Sequence, residues 1–202
     1  MKKYKIAIVH DYLCGMGGSE RVFLYMCKEF KEADIFTLAY NPEATLSEFK
    51  GYDIKVTWLN KFVKTMDQFR WSFLIATYVM QNLDFKKYDI VLTSSATVAK
   101  YINVPLGCHI CYCYIPTRAI WQTDAYFMGS FKGKLIKPFI NFLKKRDLEA
   151  SSRVSEFISI SKNTKQHIKD IIGITADRVK SYGEQEIRPN YWKKFVPDDS
   201  LN

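Results

Sequence analysis

Ile6-Ala7-Ile8-Val9-His10-Asp11-Tyr12-Leu13-Cys14-Gly15-Met16-Gly17-Gly18-Ser19-Glu20-Arg21-Val22 contains the first strand, loop and helix of the chain. Ile6–Val9 is an unbroken apolar run, the mark of a strand covered on both faces. Ser19 is the expected N-cap, and Val22, Met26 and Phe30 then recur at helical spacing. The same alternation continues downstream. Strands are expected at Asp34–Ala39, Ile54–Leu59, Tyr88–Thr93, Cys108–Tyr114 and Phe157–Ile160. Helices are expected at Lys61–Leu83 (broken in the middle), near Ser95–Tyr101, at Lys134–Ser152, and at Lys162–Ile172 up to Gly173. Repeated strand-then-helix order predicts an α/β fold: a Rossmann-like open parallel sheet with helices on both faces. Such sheets bind ligands at the carboxyl ends of their strands. That rule selects the loops after Val9, Thr93, Tyr114 and Ile160.

The 202 residues suit one domain, expected over 1–177, with 178–202 as a divergent C-terminal tail that is loosely ordered or wraps the surface. A hydrophobic fraction of 48% excludes general disorder. The net charge of +9 favours an anionic partner. Five cysteines, three of them within Cys108–Cys113, are not a disulfide framework, so a reducing, cytoplasmic setting is expected. No apolar run approaches the 18 or so residues of a membrane span.

Paired Gly17 and Gly18 between a strand and a helix let a ligand approach the backbone, and the helix N-terminus favours an anion. A tight turn with no ligand is the other reading. A nicotinamide site fits poorly, because Glu20 stands where a third glycine belongs and Ala39-Tyr40-Asn41 where a ribose carboxylate belongs. No Gly-Lys-Ser/Thr follows the loop, so it is not a P-loop. Cys108-His109-Ile110-Cys111-Tyr112-Cys113 suggests zinc, but Cys111 and Cys113 point to one face of a strand and no second Cys pair exists. No metal is expected, and these read as core cysteines. After that strand, Tyr114-Ile115-Pro116-Thr117-Arg118 with Trp121 offers a guanidinium fork and a ring, for a phosphate or simply for each other. Phe131–Arg146 interleaves Lys132, Lys134, Lys137, Lys144, Lys145 and Arg146 with apolar residues and has no acid. It reads as an anionic-membrane face or as a core-facing stripe with a solvated back. Lys61–Lys64 through Trp71 is a second region of this kind. No nucleic-acid module is visible, and none is expected as partner. His10, beside the glycine loop and Asp11, is the most site-like histidine.

These blocks resemble the family 4 glycosyltransferases. The resemblance rests on His10–Leu13 with Gly17–Val22, Ala33–Leu38, Tyr88–Val91 with Ser94-Ser95, and Cys111–Cys113 with Pro116-Thr117-Arg118 and Trp121. Phe157–Lys162 extends it, and the ordered blocks run over about Lys5–Asp177. The most similar branch is mannosyltransferase-like enzymes of bacterial polysaccharide assembly. The resemblance implies the N-terminal, acceptor-side half of a two-domain GT-B fold. It implies retaining, metal-free sugar transfer from a nucleotide sugar, such as GDP-mannose or a UDP-sugar, to a glycan or lipid-linked acceptor. It places Gly17 and Gly18 at the donor diphosphate, and His10, Asp11, Arg118, Trp121, Ser161 and Lys162 along the acceptor cleft. Tyr114 stands where the family usually has its reactive-centre histidine, Ile115 replaces a threonine, and Gln122 replaces an aspartate. The family's donor domain is not in the sequence, so a truncated enzyme or a separate donor-domain partner is expected. The alternative is a non-catalytic relative that binds a lipid-linked glycan, a partner enzyme or an anionic membrane. Lys144, Lys145 and Arg146 would then face the inner membrane surface.

Overall fold

The computed structural model describes residues 4–105, 107–121, 131–173 and 178–181. They form one seven-stranded parallel sheet of β1 (Ile6–His10), β2 (Asp34–Thr37), β3 (Ile54–Val56), β4 (Ile90–Ser95), β5 (His109–Cys113), β6 (Glu156–Ser159) and β7 (Val179–Ser181). The spatial order is β3-β2-β1-β4-β5-β6-β7. Connections run leftwards from β1 and then rightwards from β4, so the order reverses between β1 and β4. In open α/β sheets, that reversal opens a crevice at the carboxyl edge. Its registers pair His10 with Ser94, and Ser94 with Tyr112.

Helices α1 (Gly18–Glu29), α2 (Met66–Gln81), α3 (Arg118–Trp121), α4 (Phe131–Ser152) and α5 (Lys162–Ile172) cover the sheet. Alternation along β1 divides the core. Ile6 and Ile8 pack with Phe23, Leu24, Met26 and Cys27 of α1, together with Leu92, Tyr112 and Ile158. Ala7 and Val9 face the other way, towards Phe69, Ala76, Val79 and Met80 of α2 and Ala150 of α4. Cys111 and Cys113 pack with Phe157 and Val179 and with Ile168 of α5. The expected α/β class and the expected facing of the cysteine strand both hold.

Several boundaries differ, each for a local reason. The third strand ends at Val56, because Thr57 accepts the Leu59 N–H and turns the chain into a 3-10 segment at Trp58–Lys61. The break expected in the middle of Lys61–Leu83 instead falls near its start, at Thr65, and α2 runs unbroken through the middle. The Thr65 hydroxyl accepts the Gln68 N–H while the Gln68 side chain accepts the Thr65 N–H, a reciprocal box that starts α2. The helix expected near Ser95–Tyr101 is only a 3-10 turn at Ala99–Tyr101. Ser19 is not the N-cap of α1: Gly17 holds that position, and the Ser19 hydroxyl donates to Glu20 instead. Helix α5 has the expected bounds. Ser161 caps it by accepting the Thr164 N–H, and Gly173 ends it at φ 68°, a left-handed conformation suited to glycine. Residues beyond 177 were expected to be loosely ordered or to wrap the surface, and no strand was expected there, yet Val179–Ser181 adds one beside β6. Residues 182–202, the rest of that expected tail, lie outside the described residues.

Candidate functional site

The carboxyl ends of β1, β4 and β5 bring His10, Ser94 and Tyr114 together beneath the first turn of α1. The His10 Nδ1 lies 3.0 Å from the Ser94 Oγ and 3.1 Å from its carbonyl oxygen. The Ser94 Oγ is 2.8 Å from the Tyr114 hydroxyl, which donates to the Ser19 carbonyl at 3.1 Å. Counting protons assigns the donors. Tyrosine spends its single hydrogen on Ser19, so serine gives its hydrogen to tyrosine, and His10 therefore carries a proton on Nδ1. Its Nε2 faces the Glu20 carboxylate 4.0 Å away. The ring stacks on Phe23 with centroids 4.6 Å apart, which fixes its plane.

Glu20 is buried in this cluster. Burial opposes its ionisation, but the neighbouring His10, its own backbone N–H and the Ser19 hydroxyl outweigh that. They hold its carboxyl below the usual range. Its carboxylate folds back over Gly17, where an added Cβ would lie 2.9 Å from Oε2. Glycine at 17 thus supplies room rather than a special dihedral. Gly17 and Gly18 are exposed, so the loop itself is open to a ligand. Burial first, then Tyr112 and the charges of Asp11 and Glu20, push the Tyr114 phenol well above its ordinary value. At neutral pH it is a hydrogen-bonding group and not a proton acceptor.

The other expected site residues have different surroundings. Asp11 is buried, and its carboxylate accepts the N–H groups of Ala96, Thr97 and Ala99 and the Ser95 hydroxyl at 2.6–3.1 Å. It fixes the loop after β4. The Trp121 indole donates to Asp147 at 2.8 Å, and the Lys144 ammonium lies 5.3 Å from the indole centroid. The Ser161 hydroxyl is engaged with Thr164, whose own hydroxyl donates to the Tyr114 carbonyl. Lys162 is exposed beside it. The side chain of Arg118 and residue Gln122 lie outside the described residues, as do the side chains of Lys132, Lys134 and Lys137. In α4, Lys145 is exposed, while Arg146 donates to Gln81 at 2.7 Å.

Sequence reading missed the centre of the second buried cluster, Asp147. Its carboxylate receives Lys100 at 2.9 Å, Tyr101 at 2.8 Å, the Trp121 indole, and Thr117 at 3.4 Å. Ser94 and Glu20 were also not assigned to the site, although both stand at strand or helix ends that the carboxyl-edge rule selects. Among the described residues, no group of three or more His, Cys, Asp or Glu is placed to hold a metal ion. Burial and the nearby Arg153 push His109 down to about 3, and its Nε2 meets the Thr93 hydroxyl at 3.0 Å. The Cys111 hydrogen bond and burial hold Cys113 well above the usual thiol range.

No family model matches the chain, and no curated protein matches it. Among solved structures, it is similar to HepE of Anabaena in complex with UDP, at 12% identity and a TM-score of 0.49. That alignment covers 88% of this chain and 43% of the other. A complex of HepE with UDP and glucose aligns at 12% identity and a TM-score of 0.47, covering 88% and 44%. The wall teichoic acid polymerase TagF aligns at 12% identity and a TM-score of 0.44, covering 96% of this chain and 42% of the other. The chain therefore spans less than half the length of each of these structures.

Proposed function

We propose that the chain is the acceptor-side domain of a retaining GT-B glycosyltransferase, one that moves a sugar from a nucleotide sugar to a glycan or lipid-linked acceptor. One observation carries this reading. The loops that follow β1, β4, β5 and β6, where several of the resembling blocks fall, all leave the same carboxyl edge of one parallel sheet whose order reverses between β1 and β4. In this reading the open Gly17-Gly18 loop and the N-terminus of α1 approach the donor diphosphate. Glu20 already places a carboxylate there, so it swings aside or lies next to the phosphate. His10, held by Ser94 and Phe23, lies buried beneath this loop, and Tyr114, bonded to Ser94 and Ser19, helps hold it in place. Arg118, Ser161 and Lys162 border the cleft. A donor-binding domain, in the same protein or in a partner, completes the cleft. GDP-mannose is the donor suggested by the mannosyltransferase-like branch, with a UDP-sugar as the other choice.

The test is transfer of a radiolabelled sugar from GDP-mannose or UDP-sugars to lipid extracts, with the chain combined with candidate donor domains. Transfer that needs both components, and that falls when Gly18 is replaced by a bulky residue, supports the reading. No transfer with any partner counts heavily against it. A second reading, a non-catalytic relative that binds acceptor glycans, is favoured by the saturated, high-pKa Tyr114 at the histidine position. It predicts acceptor binding by titration calorimetry with no transfer under any combination.

A further inference from the structure

Helix α2 is apolar on both sides. Phe69, Ala76, Val79 and Met80 fill the core. On the outer side Trp71 is 92% exposed, Tyr78 61% and Ile75 51%, with Leu74 exposed beside them. The spacing 71, 74, 75, 78 puts these four on one stripe. Within its 16 residues the helix has two charged side chains, Asp67 and Arg70, and they bond to each other at 2.9 Å. An ordinary surface helix turns a polar face to water. Single exposed apolar residues need no explanation, but a contiguous set does.

Further exposed rings stand in the stretches before and beside the helix. Trp58 of the preceding 3-10 segment and Phe62 just after it are exposed and meet edge-on, with ring centroids 6.3 Å apart. Across the other flank, Arg146 of α4 reaches Gln81 at the end of α2 and lies 5.9 Å from the Phe142 ring centroid. Phe139 and Phe142 are exposed there, and Lys145 is exposed on the same helix. The surface therefore combines Trp, Tyr and Phe rings with aliphatic groups and is flanked by cations.

We propose that the outer face of α2, with Phe139, Phe142, Lys145 and Arg146 beside it, docks into the headgroup region of an anionic lipid bilayer. Tryptophan and tyrosine rings suit that region because each has an apolar body and a polar tip. Lysine and arginine at the rim complement the negative headgroups. Charge also argues against a second copy as occupant, since a chain of net charge +9 repels itself. The helix lies in the surface plane. Its 16 residues give about 24 Å, short of the roughly 30 Å hydrocarbon core. Among the described residues no helix is long and apolar enough to cross a membrane. The proposal is independent of sugar transfer, because neither donor nor acceptor enters its test.

The experiment is flotation of the 202-residue chain with phosphatidylcholine vesicles, with and without about a third phosphatidylglycerol. The expected result is flotation on the anionic vesicles only, weakened by salt. Trp71→Ser with Ile75→Ser should lower the partition at least about tenfold, with an unchanged circular-dichroism melting midpoint. Lys145→Glu should lower it by roughly fivefold. Wild-type protein that stays in the pellet fraction with anionic vesicles overturns the proposal. So does a double variant that floats like wild type. A concentration-dependent dimer that the double variant abolishes, without flotation, assigns the face to a second copy instead.

Discussion

Among the described residues, the buried polar clusters around Asp147 and around His10 differ in how completely they are closed. The Asp147 carboxylate is shielded from water and receives an ammonium, a phenol, an indole and a hydroxyl from four other positions. Nothing is left for a ligand to bind. The His10 cluster is tied internally through Ser94, Tyr114 and Ser19, yet its Nε2 has only a carboxylate 4.0 Å away, and it adjoins an exposed glycine loop. Asp11 follows His10 in sequence but resembles Asp147, with its oxygens used up by one loop. Saturated carboxylates hold the scaffold here, and the less saturated network is the one that adjoins the exposed loop proposed above to take a ligand.

The contrast predicts unequal responses to mutation. Asp147→Ala has the largest expected effect, because it leaves the Lys100 ammonium buried without its partner. Breaking such a pair costs roughly 3–5 kcal/mol, measurable by urea denaturation. Replacing both partners with apolar residues, Lys100→Met with Asp147→Leu, should recover much of that loss. If the single variant is as stable as wild type, the cluster is not the closed scaffold described above.

His109, a second histidine buried with a scaffold role, should make stability depend on pH. Its folded pKa is about 3 against 6.5 in the unfolded chain. The unfolded state therefore takes up a proton as pH falls below 6.5, while the native state stays neutral. Stability is fully present above that range and drops by roughly 2–3 kcal/mol on going to about pH 4.5. His109→Gln should remove most of this slope. The depressed Glu20 acts in the same direction but lower down: its contribution is present above 4.5 and fades as pH falls further. Denaturant midpoints at several pH values separate the two.

Tyr114→Phe opens the His10 cluster at its far end, leaving the Ser94 hydroxyl and the Ser19 carbonyl without that partner. A loss of about 1 kcal/mol of stability is expected, well below that of Asp147→Ala. A double-mutant cycle with Ser94→Ala should show coupling of at least about 0.5 kcal/mol. Additive effects would mean that the two hydroxyls do not share the hydrogen bond on which the His10 proton assignment rests.

Most of the sheet was legible because its central strands, such as Ile6–Val9, are short, buried apolar runs, and because Gly173 and Ser161 punctuate α5 where helix ends require them; β7, Val-Lys-Ser, has no such run. Helix starts set by side-chain reciprocity, such as Thr65 with Gln68, were less visible than the apolar period around them. In the candidate site, His10 and Tyr114 stood out because they sit at the carboxyl ends of β1 and β5, and Gly17 and Gly18 because they pair in the loop that leads into α1. Asp147 was not, because its partners Lys100 and Tyr101 lie 47 and 46 residues away. The saturation of Asp11 was hidden for the same reason, as it depends on amides 85 to 88 positions downstream. Sequence adjacency finds which residues stand at an edge; long-range pairing decides which of them are already spent.

Gly17→Ala should have the smallest effect on stability, about 0.5 kcal/mol or less, since the loop is exposed and its backbone at 17 is extended. Its consequence is electrostatic. The new Cβ would lie 2.9 Å from the Glu20 Oε2, and the flexible carboxylate must move away. Moving it separates it from His10 and from its own N–H, two of the influences that lower its pKa. The Glu20 titration, followed by carboxyl-carbon NMR, should therefore rise towards the ordinary range while the Asp34 titration stays depressed by Lys55 and Tyr88. An unchanged Glu20 titration would mean that the carboxylate has another resting place. The glycine would then serve backbone access for a ligand rather than the fit of Glu20.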